Sequence, residues 1–493
     1  MGNTSDEFII EQGVRQGGIL SADLYKVYIN QLLDRLYYCG FGAKIGDIIC
    51  NAPTCADDLS TLGDSTQELQ MLCSIANDYS KMERYELQPK KSVVLPHLKK
   101  RSKTTDTPVI FLGDQQMPVV DKTTHVGVVR TPDNSPTTAI QENLQKARRT
   151  LYSLMSAGLH GENGLDPETC IHLFRTYVIP ILTYGLEIYL PSPNDIRPLE
   201  MFLKKVLKQI LSIPVTTADP ASFILSGLVP VEAIIHLRAL SLFGNIALLD
   251  DSSIEKRLAY RQLTIHGHTG SSWFSNLAII TTKYELPNPM EILRDPVSKS
   301  QWKTVTLRAV YAYWGRRIKQ QALTYSSLEY LSVGHYNPGK IHPLLRITET
   351  QTQSREVNRL PVKTKLVTGT YSLQSTRAAF NNLDVDPTCL LCKTSAETLE
   401  HFILHCTKLQ HVRVQILCDI ASACGENINF SQLCTSDQLR IILDVYSTVD
   451  VVHNKNTEYL AEIDRHTRRL CHALHCERKK LFALLPTRRR YGL

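Results

Sequence analysis

The chain has 493 residues, of which 43% are hydrophobic and 21% are charged, and its formal net charge is +7. This composition excludes a collagen-like, a coiled-coil and a wholly disordered chain. No run of about 18 apolar residues occurs, so we expect neither a membrane span nor a membrane partner. Residues 1–30 are polar and show no secretion signal, which predicts an intracellular protein of the nucleus or the cytoplasm that is not secreted.

The positive charge is concentrated at the C-terminal end. Residues 461–493 contain nine basic residues and only three acidic ones, so this segment carries most of the excess charge. A basic end is typical of a surface that binds a polyanion, most often nucleic acid, although a solvated helix end is the alternative interpretation. The nine basic residues are Arg465, Arg468, Arg469, Arg478, Lys479, Lys480, Arg488, Arg489 and Arg490.

The predicted elements of the first segment alternate between short strands and helices. A strand at 8–10 precedes a glycine-rich turn, and apolar residues at helical spacing predict a helix over 20–37. Strands are predicted at 45–50 and 59–62, with a turn between them. A second helix, over 67–85, and a strand at 93–95 follow, and the polar stretch at 98–107 indicates a loop.

The rest of the chain divides into three further segments. Residues 136–250 read mainly as helices whose boundaries are marked by prolines. Residues 251–380 are of mixed pattern and richer in Trp and Tyr. Residues 381–493 contain a cluster of Cys and His and then helices that end in the basic tail.

A glycine-rich turn, GVRQGGILS, begins at Gly13 and opens the first predicted helix. Gly17 and Gly18 allow a backbone to approach a nucleotide or a template closely. Arg15 offers a contact to phosphate, and Gln16 offers a donor and an acceptor to a base edge. Taken alone, the motif is equally that of a plain turn before a helix.

Asp57 and Asp58 follow one another in the turn between two apolar runs. Adjacent carboxylates in a tight turn are costly unless a positive group neutralises them, and Mg²⁺ is a common solution. Lys91, in the charged segment 88–92, offers a contact to phosphate or a proton for a leaving pyrophosphate. Each feature alone also fits an ordinary polar turn.

The order and spacing of these motifs resemble the palm of reverse transcriptases from non-LTR (LINE-type) retrotransposons. Residues 13–25 resemble that family's GVRQG block, 53–65 its YADD box, and 88–92 its N-P-x-K-T/S block. Residues 111–130, with His125-Val126-Gly127, resemble the primer-grip hairpin.

The resemblance continues into the helical segment. Residues 139–155 resemble the basic helix that starts the thumb. Residues 177–187 resemble the P-x-L-x-Y-G-x-E signature, and 227–232 fit G-x-x-P-x-E. The likeness covers residues 1 to 250 and reappears near 366–406.

The most specific single motif is a CCHC cluster near residue 400. Its spacing is Cys389-x2-Cys392-x8-His401-x4-Cys406, and it provides four ligands for tetrahedral Zn²⁺. His405 is an alternative to His401, and four unrelated side chains are the other alternative. The cluster is similar to the zinc knuckle that follows the polymerase in such elements, where it is thought to contact RNA or DNA.

The resemblance implies an α+β fold. It comprises a partial palm sheet with helices on one face, a helical thumb, and a mostly helical C-terminal region with a small zinc knuckle. The expected domains are a partial palm with the primer-grip hairpin (1–130), the thumb (136–250), a connector of unclear role (251–380), and the knuckle with the basic helical tail (381–493).

The implied function is that of an RNA-directed DNA polymerase with two-metal nucleotidyl transfer. Asp57 and Asp58 would hold Mg²⁺ or Mn²⁺, and Lys91 would assist the departure of pyrophosphate. Arg15, Gln16, Gly17 and Gly18 would line the nucleotide and template site. The implied partners are an RNA template, a DNA primer or target, and a dNTP, and no protein partner is inferred.

The sequence also departs from the family. The third catalytic carboxylate belongs to an upstream F-x-x-x-D motif, and the chain starts twelve residues before the glycine-rich block, without the fingers. Cys55, Ala22 and His125 replace the usual aromatic residue, proline and aromatic residue of their motifs. We therefore expect a truncated polymerase, or alternatively a catalytically dead remnant that binds RNA or DNA through the thumb, the zinc knuckle and the basic tail.

Overall fold

The structure, a computed structural model, describes most of the chain and shows a mostly helical protein with small two-stranded sheets. The described residues are 15, 18–97, 107–161, 164–347, 354–380, 385–425, 428–448 and 457–485. The strand predicted at 8–10 and most of the loop predicted at 98–107 therefore lie outside the described residues.

Two long helices form the frame of the N-terminal part. Helix α1 (Ser21–Tyr38) buries Ile29, Leu32 and Leu36, and helix α2 (Thr66–Met82) buries Tyr79 against them. The burial spacing on α1 is that of one helix face, as the sequence predicts. The Ser65 hydroxyl begins α2 by accepting a hydrogen bond from the Glu68 N–H.

In the part of the chain that the structure describes, eight short strands pair as four antiparallel hairpins. Each strand has two or three residues and, within the described residues, pairs with no strand other than its hairpin partner. The pairs are β1 (Lys44–Ile45) with β2 (Ile48–Ile49), β3 (Thr54–Cys55) with β4 (Asp58–Leu59), β5 (Phe111–Leu112) with β6 (Gln115–Gln116), and β7 (Thr123–His125) with β8 (Val128–Arg130).

The predicted palm sheet is not formed by the described residues. The strand predicted at 45–50 is divided because Gly46, with φ of +67°, turns the chain inside that apolar run. The strand predicted at 59–62 is instead the short β4, and the strand at 93–95 is reduced to one parallel bridge between Val94 and Val119. Each described strand therefore belongs to a two-stranded sheet and not to a shared one.

The segment 136–250 is helical, as predicted. Its elements are α3 (Thr137–Ser156), α4 (Pro167–Leu173), a π-helix (Phe174–Val178), α5 (Ile179–Leu182), α6 (Leu186–Tyr189), α7 (Pro193–Ile210), α8 (Asp219–Ser226) and α9 (Val231–Ala247). A capping box at Ser192 and Asp195 begins α7.

The remaining segments are also mainly helical. Their helices are α10 (Ile254–His266), α11 (Trp273–Lys283), α12 (Pro289–Arg294), α13 (Lys299–Leu323), α14 (Ser354–Val357), α15 (Leu360–Val367), α16 (Gln374–Phe380), α17 (Gln410–Cys424), α18 (Thr435–Asp444) and α19 (Thr457–Ala483). Within the described part of the chain, no single helix is long and apolar enough to cross a membrane, and only the bent pair of α8 and α9 meets that test when taken together.

The apolar cores do not follow the predicted segment boundaries. The largest core runs from Val129 to Leu474 and contains side chains of α3, α7, α15 and α17 to α19. A second core, from Val229 to Trp314, is built by α9 to α13. Residues of the predicted thumb and of the C-terminal region therefore pack into one common interior.

Candidate metal centre and polymerase motifs

The CCHC residues converge in space. The ligand atoms of Cys389, Cys392, His401 and Cys406 all lie within 4.8 Å of one another. The Sγ atoms of Cys389 and Cys406 are 3.9 Å apart, and Cys392 Sγ lies 3.3 Å from His401 Nε2. Ligand atoms around tetrahedral zinc are roughly 3.5–3.8 Å apart, given Zn–S bonds of about 2.3 Å. The cluster can therefore bind a metal such as zinc.

Local backbone geometry brings the four ligands together. Lys393, with φ of +59°, reverses the chain just after Cys392, and the Cys389 N–H donates to the Ser395 carbonyl at 2.8 Å. A π-helix (His401–His405) begins at the third ligand and ends just before the fourth, Cys406. Because its wider turn lets the Cys406 N–H donate to the His401 carbonyl at 2.8 Å, Cys406 is placed next to His401.

Surrounding side chains select the ligand atoms. Ser395 Oγ lies 2.9 Å from His401 Nδ1, which leaves Nε2 directed to the cluster. His405 is exposed and pairs with Glu400 at 3.1 Å, so the structure selects His401 between the two candidates. The hydrogen bond between the two thiols lowers the pKa of Cys406 and raises that of Cys389, so the proton of the pair is held on Cys389.

The metal loop is fixed to the body of the protein. Cys389, Phe402 and Cys406 belong to the largest core. Arg413 Nε donates to the Ile403 carbonyl at 2.7 Å, which satisfies an end of the π-helix. A site with four buried or half-buried protein ligands and this support has the form of a structural site rather than a catalytic one.

Asp57 and Asp58 lie at the tip of the β3–β4 hairpin, as the turn prediction requires. Ala56, with φ of +54°, makes the turn, and both carboxylates are exposed. Among the described residues, no third His, Cys, Asp or Glu completes a metal group with them. Burial and the neighbouring Asp57 carboxylate raise the pKa of Tyr25, so the phenol stays neutral beside the hairpin.

The structure describes only some of the other predicted polymerase residues. Lys91 is exposed in a turn and makes no ion pair with a described residue. Arg15 is exposed, and its carbonyl accepts hydrogen bonds from the Gly18 N–H at 3.0 Å and from Ser21 Oγ at 2.7 Å. Gln16 and Gly17 lie outside the described residues. The catalytic and nucleotide-binding roles of all these residues stay predictions.

The β7–β8 hairpin is held by side chains in and just after the segment 177–187. The Tyr184 hydroxyl donates to the Val126 carbonyl at 3.0 Å, and the Tyr189 hydroxyl donates to the Val129 carbonyl. A Cβ at Gly185 would lie 2.7 Å from Val128 Cγ2, so a side chain there would displace the hairpin. The Y-G pair in the P-x-L-x-Y-G-x-E motif was the signal for this contact.

The structure corrects the predicted nucleic-acid surface of the tail. Arg468 is buried and bonds to Asp464 and to the carbonyls of Leu344 and Arg346. Arg478 is buried against Glu397. Guanidinium groups that are paired inside the core are not free to contact phosphate, so these two residues serve packing in this fold.

The remaining basic residues of the tail differ in their surroundings. Arg465 pairs with Glu462, and Arg469 pairs with Asp419. Lys479 and Lys480 are exposed, and Lys480 pairs with Glu477 at 3.4 Å. Three further predicted residues, Arg488, Arg489 and Arg490, lie outside the described residues.

Comparison with known proteins gives a distant relative. No family model matches the chain. The chain is 24% identical over 236 residues to the retrovirus-related Pol polyprotein of the type-2 retrotransposable element R2DM of Drosophila melanogaster. The match covers 45% of this chain and 20% of the relative, so the chain spans about a fifth of that protein's length. The chain is distantly related to a retrotransposon Pol polyprotein.

Proposed function

We propose that the chain binds RNA or DNA as part of a retroelement reverse transcriptase. The observation that carries the proposal is the distant homology to a retrotransposon Pol polyprotein. The order of the GVRQG-like, Ala-Asp-Asp and primer-grip-like motifs in the sequence supports the same assignment. Nucleic acid is the substrate class that these motifs have in common.

The Cys3His cluster supports binding rather than chemistry. Its four protein ligands leave no open position for a substrate or a water, so zinc would organise the loop and not act on a ligand. Cys389, Cys392, His401 and Cys406 are the residues that would hold Zn²⁺. Exposed basic side chains elsewhere on the body would then supply the contacts to phosphate.

RNA-directed DNA polymerisation is the second candidate function, and the Asp57-Asp58 hairpin favours it. An exposed turn gives a metal–triphosphate complex free access to both carboxylates. Two adjacent carboxylates do not complete a two-metal site, however, because such a site needs further ligands. The described residues therefore supply an incomplete site for Mg²⁺ or Mn²⁺, and binding is the better supported function.

The test separates binding from catalysis. Fluorescence anisotropy with labelled RNA and DNA oligonucleotides should show binding by the wild type that weakens as salt rises. The double variant Asp57→Asn/Asp58→Asn should bind equally well, because phosphate contacts come mainly from Lys and Arg. Absence of binding at low salt would overturn the proposal.

The wild type and the double Asn variant also test whether the chain is a polymerase. Extension of a primer on an RNA template with Mg²⁺ or Mn²⁺, present in the wild type and lost in the double Asn variant, would establish polymerisation through this hairpin. Extension that persists in the variant, or that is absent from both proteins, would overturn it and leave binding intact.

A further inference from the structure

Helix α13 has an unusual charge. Its 25 residues include six basic side chains and no acidic one. The excess of basic over acidic residues does not exceed two on any other described helix. The described part of α19, where the sequence places the polyanion surface, carries six basic and four acidic residues. The largest net positive charge of any described helix is therefore on α13, within the segment that the sequence left without a role.

Much of this charge is exposed and unneutralised. Lys299, Lys303 and Arg308 are exposed and make no ion pair with any residue of the described chain. Arg316 meets the exposed Glu285 at 3.7 Å, a surface pair of small strength. Arg317 donates to the Tyr313 hydroxyl at 3.1 Å. Mutual repulsion of the unpaired cations disfavours the free helix, and a bound polyanion would remove that repulsion.

The backbone that carries the charges is rigid. The indole Nε1 of Trp302 donates to the Leu240 carbonyl on α9 at 2.7 Å, and Val310 and Trp314 are buried in the second core. One side of α13 is thus held against α9 and the second core. At 100° per residue, Arg308 lies on the opposite side of the helix, while Lys299 and Lys303 are exposed in its first two turns. Twenty-five residues at 1.5 Å each extend over about 37 Å, enough to follow several phosphates of a strand.

We infer that α13 is a surface that binds the phosphate backbone of RNA or DNA. The inference rests on the proposed function, and it places the contact in a segment that no motif marks. Binding should be independent of sequence, because Lys and Arg on phosphates carry no base information. Tyr311 and Tyr313 of the same helix are half-buried, so base stacking should contribute little.

Two variants of equal charge test the inference. The α13 variant is Lys299→Gln/Lys303→Gln/Arg308→Gln. The matched control is Arg465→Gln/Arg469→Gln/Lys480→Gln on α19, which also removes three cations, each of which already has an acidic partner. Far-ultraviolet circular dichroism establishes that both variants are folded as the wild type is.

Binding to a labelled oligonucleotide of random sequence is then measured between 50 and 200 mM salt. The slope of log K against log salt should fall by about 2 to 3 in the α13 variant, at 0.7–0.9 per lost phosphate contact, and by less in the control. A wild type that binds with an α13 variant of unchanged slope would overturn the α13 surface alone. A wild type that binds no nucleic acid would overturn the proposed function and this surface together. Acidic lipid vesicles are the second probe, and a wild type that binds only to them would have the same consequence.

Discussion

The carboxylate of Glu397 accepts two hydrogen bonds from the guanidinium of Arg478, one from Nε at 2.8 Å and one from Nη2 at 2.9 Å. Both side chains are buried. Glu397 lies in the loop between Cys392 and His401, and Arg478 lies near the end of α19. The pair therefore connects the candidate metal loop to the C-terminal helix.

Arg478→Ala should strongly destabilise the protein. The substitution leaves the Glu397 charge buried without a partner, and breaking a buried pair in this way costs roughly 3–5 kcal/mol. The guanidinium also lies 4.5 Å from the ring centre of Phe482, and that contact is lost too. The measurement is the free energy of unfolding in urea, followed by circular dichroism.

Arg465→Ala is the matched control on the same helix. Its partner Glu462 is exposed, so the loss should stay below about 1 kcal/mol. The loss of stability in Arg478→Lys should lie between the losses in the two Ala variants, because the lysine ammonium group makes a single contact in place of a bidentate one. Equal stability of the two Ala variants would contradict the role of this pair.

Removal of the metal should loosen the C-terminal body. We expect one zinc per chain in the purified protein and a lower temperature of thermal unfolding after treatment with a chelator, because the ligands belong to the largest core. Cys406→Ser should lose stoichiometric zinc, whereas Cys418→Ser, at an exposed thiol outside the cluster, should retain it. Full zinc content in Cys406→Ser by elemental analysis would exclude this site.

Local sequence patterns predicted several helices and the convergence of the CCHC residues. The helix predicted over 20–37 is α1, at Ser21–Tyr38, and that over 139–155 is α3, at Thr137–Ser156. Apolar spacing fixes such helices because each buried face repeats within a few residues. The four residues of the CCHC spacing converge for a similar reason, since all lie within 18 residues of one another.

What the sequence could not show depends on distant partners or on single backbone angles. Arg478 meets Glu397 across 81 residues, so no local pattern reveals that this basic residue is buried. Gly46 turns the chain at positive φ, which divides the strand that the apolar pattern predicts at 45–50. The charge of α13 was present in the sequence, but only the structure shows that those residues form one continuous helix.

Gly244→Ala should destabilise the second core, although the same change usually stabilises a helix. A Cβ at Gly244 on α9 would lie 2.1 Å from Trp302 Cδ1, and the indole is held by its hydrogen bond to Leu240. Overpacking of about 1–3 kcal/mol then exceeds the helix-propensity gain of about 1 kcal/mol. Urea unfolding, followed by tryptophan fluorescence, measures the difference.

Gly315→Ala on α13 is the matched comparison. Its added Cβ would lie 3.8 Å from Pro338 Cδ, an ordinary contact distance, so only the propensity gain remains. This variant should be more stable than the wild type by up to about 1 kcal/mol. The two substitutions should therefore change the free energy of unfolding in opposite directions. Destabilisation of similar size by both would show that the close contact between Gly244 and Trp302 does not determine the effect.

Glu200 should make stability depend on pH. Its carboxylate on α7 accepts a hydrogen bond from the Val231 N–H at 2.8 Å, yet burial raises its pKa from 4.5 to about 7. The folded state therefore retains a proton that the unfolded chain has already lost between pH 4.5 and 7. The raised pKa of Glu200 therefore contributes stability that is fully present below pH 4.5 and is lost as the pH rises through 7.

Glu200→Gln keeps an oxygen that accepts from Val231 but cannot ionise. From pH 5 to pH 8, the wild type should therefore lose up to about 3 kcal/mol of unfolding free energy relative to this variant. Glu200→Ala also cannot ionise, but it should be less stable than Glu200→Gln at both pH values because the Val231 N–H loses its acceptor. A difference between Glu200→Gln and the wild type that is the same at both pH values would show that this carboxyl ionises normally in the folded protein.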